Sequence, residues 1–223
     1  MRNNSILAAL IASGLAVAAP ANADVLAVKA GLDWFQASTD GSYANTSANF
    51  DDEGHVSGFV AFEHPVPLLP NAMVRYNDLG DSNGSNKVDL TNVDLLAYYE
   101  LLDNPLLELD FGLNYRIYAG EFSNANINDS DLDEGVFMGY VRGRFDIVGT
   151  GLFAFANVFA TDYDDKAIHD LQVGVGYTLD FIPLLDLDLK AGYREHSFDV
   201  QDFNSINADL TQDGWFAGVE LAF

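Results

Sequence analysis

Side chains that could do chemistry are few in this chain. His196 stands among Glu195, Ser197 and Asp199, the residue types of a hydrolase that pairs a histidine with a carboxylate and a serine. Neighbours in a strand point to opposite faces, however, and such a triad is defined by geometry rather than by adjacency, so a lumen or rim histidine in a hydrogen-bonded network is the expectation. His169 next to Asp170, His55 and His64 are weaker candidates still. The stretch DSDLDEG (129–135) resembles a calcium loop, but its glycine is seventh rather than sixth and its twelfth position is Tyr140 rather than Glu. With no cysteine in the chain, a thiolate metal site, a thiol nucleophile and a disulfide framework are all excluded. These residues predict no enzyme, no cofactor and no dedicated metal site.

The basic residues follow a clearer rule. Seven of them, Lys29, Arg75, Arg116, Arg142, Arg144, Lys190 and Arg194, fall on the polar faces of alternating segments. Ten acids share those faces: Asp33, Glu63, Asp94, Glu100, Glu108, Asp110, Asp146, Asp186, Asp188 and Glu220. Arginine concentrated on one face among carboxylates, Tyr and Gly is what an inward face short of water needs, because each charge must have a partner there.

The elements that must carry these charges are strands. Alternation of period two recurs ten times, at about residues 25–35, 55–64, 71–78, 91–101, 106–118, 136–147, 152–161, 169–180, 185–195 and 214–223. In PLLELDFGLNYRIY (105–118), Leu107, Leu109, Phe111, Leu113, Tyr115 and Ile117 make one face, and Glu108, Asp110 and Arg116 lie on the other. In every segment an apolar face free of Asp, Glu, Lys, Arg and His can be chosen, which lipid would impose, since one Arg or Lys at mid-bilayer costs roughly 2–4 kcal/mol. Aromatic residues on these faces gather in two bands. Trp34, Tyr76, Tyr115, Phe137, Tyr193 and Trp215 lie near long connectors, and Phe62, Tyr99, Phe145, Tyr177 and Phe223 near short ones. Two such bands are the interfacial girdles of a membrane barrel.

Connectors alternate in length. HPVPLLP, LLDNPLL, VGTG and FIPLL are short, whereas DSNGSNK (81–87), SNANINDSDLDEG (123–135) and SFDVQDFNSINADLTQD (197–213) are long, polar and expected to be loops. The segment PLLELDFGLNYR (105–116) is repeated as PLLDLDLKAGYR (183–194), with PLLPNAMVRY (67–76) a weaker copy. The reading is a single up-and-down antiparallel transmembrane β-barrel of ten strands, eight being the smaller alternative, with short turns at one end and long loops at the other. No apolar run approaches the roughly 20 residues of a membrane helix.

Residues 1–23 place one Arg before the apolar run Ile6 to Ala19 and end in Ala21-Asn22-Ala23, so they are expected to be a signal peptide cleaved after Ala23, leaving 24–223 as the barrel. The remainder holds nine Lys or Arg against 34 Asp or Glu. That acidity argues against nucleic-acid binding. Only Lys87 and Lys166 among the basic residues are left for connectors that carry 24 acids. Two functions follow: a narrow, cation-preferring channel whose acidic outer mouth concentrates cations, or a non-conducting structural or surface-binding barrel engaging divalent cations, lipopolysaccharide or another cell. Phe153, Phe155 and Phe159 are candidates to fill the interior. A barrel enzyme acting on lipid A or on peptides ranks third.

The segments ADVLAVKAG (23–31), FEHPVPLLPN (62–71), VDLLAYYELLDNPLLELDFGLNYR (93–116), VRGRFDIVGTGL (141–152), AGYREHSFDV (191–200) and ADLTQDGWFAGVELAF (208–223) resemble small proteobacterial outer-membrane proteins, catalogued as outer membrane proteins with a GlyGly motif. The chain departs from that name in having no adjacent glycine pair. The resemblance implies a signal peptide, a monomeric barrel in the outer membrane of a Gram-negative bacterium among lipid and lipopolysaccharide, and no known activity. It also implies that the terminal Phe223 is read by the barrel assembly machinery.

Overall fold

The computed structural model describes residues 26–223, apart from 44–45, 48–49, 67, 84–85, 125–126 and 183–184. The segment read as a signal peptide lies outside the described residues. Every element of regular structure described is a strand: β1 (Ala27–Tyr43), β2 (Thr46–Ser47), β3 (Phe50–Glu63), β4 (Asn71–Asn77), β5 (Gly80–Asn83), β6 (Asn86–Asp89), β7 (Asn92–Asn104), β8 (Leu107–Asn124), β9 (Ile127–Ile147), β10 (Leu152–Tyr163), β11 (Lys166–Ile182), β12 (Leu185–Phe203) and β13 (Ile206–Ala222).

Ten of these make one antiparallel wall in the order β8, β7, β4, β3, β1, β13, β12, β11, β10, β9, and β9 pairs back onto β8 to close it. The short β5 and β6 form a hairpin that prolongs β4 and β7, and β6 pairs β8. Closure also reaches the chain end, where Phe223 and Val28 exchange backbone bonds of 3.1 and 2.7 Å. Partners of Gly139, followed from strand to strand, reach β1 at Asp40 by one route and at Val28 by the other. The wall therefore closes with a shear of twelve residues, which tilts the strands within the usual range of about 35–45°.

Eight of the ten wall strands, β1, β3 and β8 to β13, run further towards the hairpin end than the sequence suggested. β9 has 21 residues and β12 has 19, whereas a tilted strand crosses a bilayer in about 9–11. The connectors expected to be long loops are consequently corrected. Residues 123–135 and 197–213 are mostly the paired tips of β8–β9 and β12–β13, and 81–87 is mostly the β5–β6 hairpin. The calcium-like stretch 129–135 lies in β9. These tips were hard to see as strands because their outward positions are Asp, Asn, Ser and Gln. Their inward positions nevertheless keep period two with Phe198, Val200, Ile206, Ala208 and Leu210, all buried. Tight turns end two of the hairpins: Asp164-Asp165 and Asn204-Ser205 hold φ of 56° and 57°, and of 50° and 64°. Both residues in the left-handed region is the type I′ geometry whose twist matches the flanking strands.

The apolar faces point outward as expected. Val175, Phe137, Trp215 and Leu113 are more than half exposed, and Phe111 is nearly so. Register brings the upper aromatic band together: Tyr193 is opposite Trp215 with rings 5.4 Å apart, and Tyr115 opposite Phe137 at 4.8 Å. Gly135 lies beneath the Tyr115 ring, in space a Cβ would take from the phenol oxygen.

Candidate functional site: the barrel interior

Strand parity turns every second residue inward, and the inward residues form three successive layers from the turn end to the hairpin end. The first is ionic. Lys29 Nζ is 2.8 Å from Glu63, which also accepts a 2.7 Å bond from the Tyr98 hydroxyl. Lys190 lies 3.0 Å from Glu220 and 3.7 Å from Asp33, and Arg142 is 3.7 Å from Glu220 and 4.0 Å from Asp110. Arg144 donates to Asp146 and Asp188 and stacks over Phe153 at 3.7 Å. Glu100 is opposite the inward Asp110 but is exposed, because it sits at the turn-end mouth beside the bulge between Glu100 and Leu102.

The middle layer is a fully buried network. Asp94 accepts from Arg116 Nε and Nη2 at 2.7 and 2.8 Å and from Asn114 at 2.6 Å. Asp170 receives Arg194 twice, at 2.9 and 2.8 Å, and Arg116 at 3.1 Å, with Arg75 3.6 Å away. Arg194 also donates to Ser57 at 2.8 Å and to Asn77 at 2.9 Å. Phe159 lies under Arg75 and Arg116, and Phe35 under Arg194. Three guanidinium groups and two carboxylates from β4, β7, β8, β11 and β12 are thus tied across the bore.

The third layer is apolar. Above a polar step in which Asp81 accepts from Gln212 at 2.8 Å, bonds Thr39 and lies 3.3 Å from His55, the interior is packed with hydrocarbon. Leu79, Val88, Leu90, Leu132, Ile168, Phe198 and Leu210 are completely buried, and Tyr43, Phe50, Phe122 and Phe203 pack with them. Each long strand therefore exchanges its two faces part-way along without changing parity. On β12 the inward residues run Asp188, Lys190, Arg194, His196, Phe198, Val200, while the outward ones run Leu187, Leu189, Tyr193, Glu195, Ser197, Asp199. Below the upper aromatic band the barrel is polar inside and apolar outside. Beyond it the barrel is apolar inside and polar outside.

The seven basic residues expected inside are there, with Arg116 and Arg194 wholly buried. The expected acids Asp33, Glu63, Asp94, Asp110 and Glu220 are buried among them. Phe153, Phe155 and Phe159 fill the bore. Asp170, which three arginines share, falls within the expected strand 169–180 with parity opposite to the outward Val173 and Val175, and that parity is the signal that could have placed it inside. Asp81, in the stretch 81–87 expected to be a loop, continues the inward parity of Asn77 and Leu79, the signal that could have found it.

His196 is inward and completely buried, 3.4 Å from the Tyr118 hydroxyl. Ser197 and Glu195 have the opposite parity, and Glu195 is bound instead to His169 at 2.9 Å. The parts of the imagined hydrolase site are on two sides of one wall. Among the described residues, no three His, Cys, Asp or Glu side chains converge on a metal position. Between the ionic and middle layers lies a cavity of about 40 Å³ lined by Asp33, Arg75, Arg142, Lys190, Glu220 and Phe159. It has room for roughly one or two waters.

No family model matches the chain, and no curated protein matches it. Among solved structures it is similar to the neisserial surface protein NspA, at 16% identity and a TM-score of 0.38 over 87% of this chain and 95% of that one. It is also similar to the β domain of the Bordetella autotransporter BrkA, at 9% and 0.49 over 90% and 99%. The outer membrane protease OmpT from Escherichia coli gives 12% and 0.38 over 91% and 97%. The closed antiparallel register and the two-faced strands, rather than these likenesses, are what make this chain a membrane-type β-barrel.

Proposed function

We propose that this chain is a monomeric, non-conducting barrel of a Gram-negative outer membrane, which holds a rigid acidic collar above the lipid surface. The observation that carries the reading is the exchange of faces on the long strands. A barrel that ended at the membrane would have no use for long strands prolonged with a packed apolar interior and a polar exterior. The apolar layer fills the bore at the hairpin end, and the arginine network crosses it below, so the alternative of a narrow cation-preferring channel receives no support from the interior.

The collar presents Asp131, Asp133, Glu134, Asp162, Asp164, Asp165, Asp199 and Asp209, all exposed, with Lys87 and Lys166 the basic residues of this region. Asp199 is directly opposite Asp209, and Glu195 opposite Asp213, on the outward face immediately beyond the Tyr193 and Trp215 band. Opposed carboxylates repel, and at this height they lie level with the phosphate groups of lipopolysaccharide. The reading is therefore diffuse attraction of divalent cations that bridge collar and lipopolysaccharide, rather than a single tight metal site. The resemblance to the family with a GlyGly motif is consistent with this address and supplies no activity.

Planar-bilayer recording together with thermal unfolding in lipopolysaccharide-containing vesicles tests the proposal. No conductance steps and a melting temperature raised by millimolar Mg²⁺ are expected. Reproducible steps would sink the non-conducting reading, and indifference to Mg²⁺ against a matched monovalent salt would sink the collar.

A further inference from the structure

The leucine-rich turns between β3 and β4 and between β7 and β8, at the short-turn end, have no part in the function above. In the turn between β3 and β4, Leu68 is 91% exposed and held at φ 71°, in the left-handed region that a leucine occupies only at a cost. Local bonds enforce that shape: His64 N–H donates to Asn71 Oδ1 at 3.1 Å, Val66 N–H to the His64 ring at 3.2 Å, and Leu69 N–H to the Val66 carbonyl at 3.4 Å. One bond sets its direction. The Tyr99 hydroxyl donates to the Leu68 carbonyl at 3.0 Å, and Tyr99 belongs to the outward, lipid-side face of β7, where it stacks on Phe111.

The turn is thus folded back against the outer wall rather than capping the charged mouth. Beside it, the bulge between Glu100 and Leu102 leaves Leu101 and Leu102 both exposed, and Leu106 is exposed in the next turn. Val66, Leu68, Leu69, Leu101, Leu102 and Leu106 form an apolar arc over two adjacent turns, broken by the single acid Asp103. The inward charges Lys29 and Glu63 lie on the other face of the wall. Exposed leucines in such number are a contact surface rather than scattered surface residues.

We infer that this arc is an apron embedded in the periplasmic-side lipid leaflet, so that the β3–β4 and β7–β8 turns lie along the acyl and headgroup boundary instead of projecting into the periplasm. The occupant is phospholipid, because the arc continues the apolar outer wall without a charged rim between them and is tied to that wall through the interfacial Tyr99. This inference rests on the membrane-barrel reading, and the two can fail separately.

The absence of cysteine from the chain allows single labels. Leu68→Cys, Val175→Cys in the middle of the outward face of β11, and Asp164→Cys at the opposite end are labelled with a nitroxide. Each is folded into phosphatidylethanolamine/phosphatidylglycerol vesicles, and relaxation by oxygen and by a water-soluble nickel complex is measured. The expected result is that Leu68 matches Val175, with an oxygen effect several-fold larger than the nickel effect, and Asp164 gives the reverse. If Val175 reports lipid but Leu68 reports water, the apron is wrong and the barrel stands; if Val175 also reports water, the membrane reading itself fails. Shielding of Leu68 from both agents would mean that protein covers the arc, which also overturns the inference. As a variant free of labels, Leu68→Asp with Leu69→Asp should slow insertion several-fold while leaving the folded barrel's circular dichroism unchanged; an unchanged rate contradicts a lipid contact.

Discussion

Asp170 on β11 and Arg194 on β12 meet through two bonds, of 2.9 and 2.8 Å, with both side chains wholly removed from solvent. They are diagonal neighbours on the inner wall, Asp170 being opposite His196 and Gln172 opposite Arg194. Because Arg116 and Arg75 from the far wall share the same carboxylate, the pair links strands distant in the chain and belongs to the bore rather than to one hairpin.

Asp170→Asn leaves three guanidinium groups around a neutral amide. Breaking a buried ion pair by removing one partner costs about 3–5 kcal/mol. Denaturant unfolding in detergent or lipid should show a loss of that order, accompanied by loss of the compact form on unheated gels. A loss below about 1 kcal/mol would mean that the network is hydrated and contributes little.

The apolar layer should behave as a protein core. Phe198→Ala is expected to cost about 3–5 kcal/mol and Leu210→Ala about 2–5 kcal/mol, as for other buried large-to-small changes. In proteolysis of the folded protein, both should release the β12–β13 tip before the membrane-crossing segments. Equal resistance of tip and wall in the variants would count against a separate core at the hairpin end.

Charge placed on the outward face should be costly or harmless according to height. Val175→Arg, on an outward position 63% exposed below the aromatic band, is expected to cost roughly 2–4 kcal/mol in a bilayer. Gln201→Arg, exposed on the polar continuation of β12, should fall within about 0.5 kcal/mol of the parent. Comparable effects at the two sites would refute the exchange of faces.

Opposed carboxylates should be released by removing one. Asp209→Asn takes away the repulsion with Asp199 and is expected to stabilise the protein by roughly 0.2–1 kcal/mol in chelator. With millimolar Mg²⁺ and lipopolysaccharide the gain should vanish, since the parent then has its counter-ion. Thermal unfolding of both proteins in the two conditions measures the difference, and a gain that persists with Mg²⁺ argues for simple local strain.

The alternation of Leu107 to Ile117 with Glu108 to Arg116 was legible in the chain as a wall with one lipid face, because period two is a local property that needs no partner. The inward placement of all seven basic residues followed from the same parity, and so did the two aromatic bands. What the chain alone left hidden lies beyond the upper band. There the outward residues are Asp, Asn and Ser, and a polar exterior with alternate apolar residues looks like a loop until its partner strand is known. Only closure of the wall, with its shear of twelve residues, brings Leu132, Ile168, Phe198 and Leu210 into one packed interior and sets Asp170 among Arg75, Arg116 and Arg194. Parity is decided residue by residue along the chain. Who faces whom across a bore is decided by stagger and tilt, which exist only once ten strands have joined into a ring.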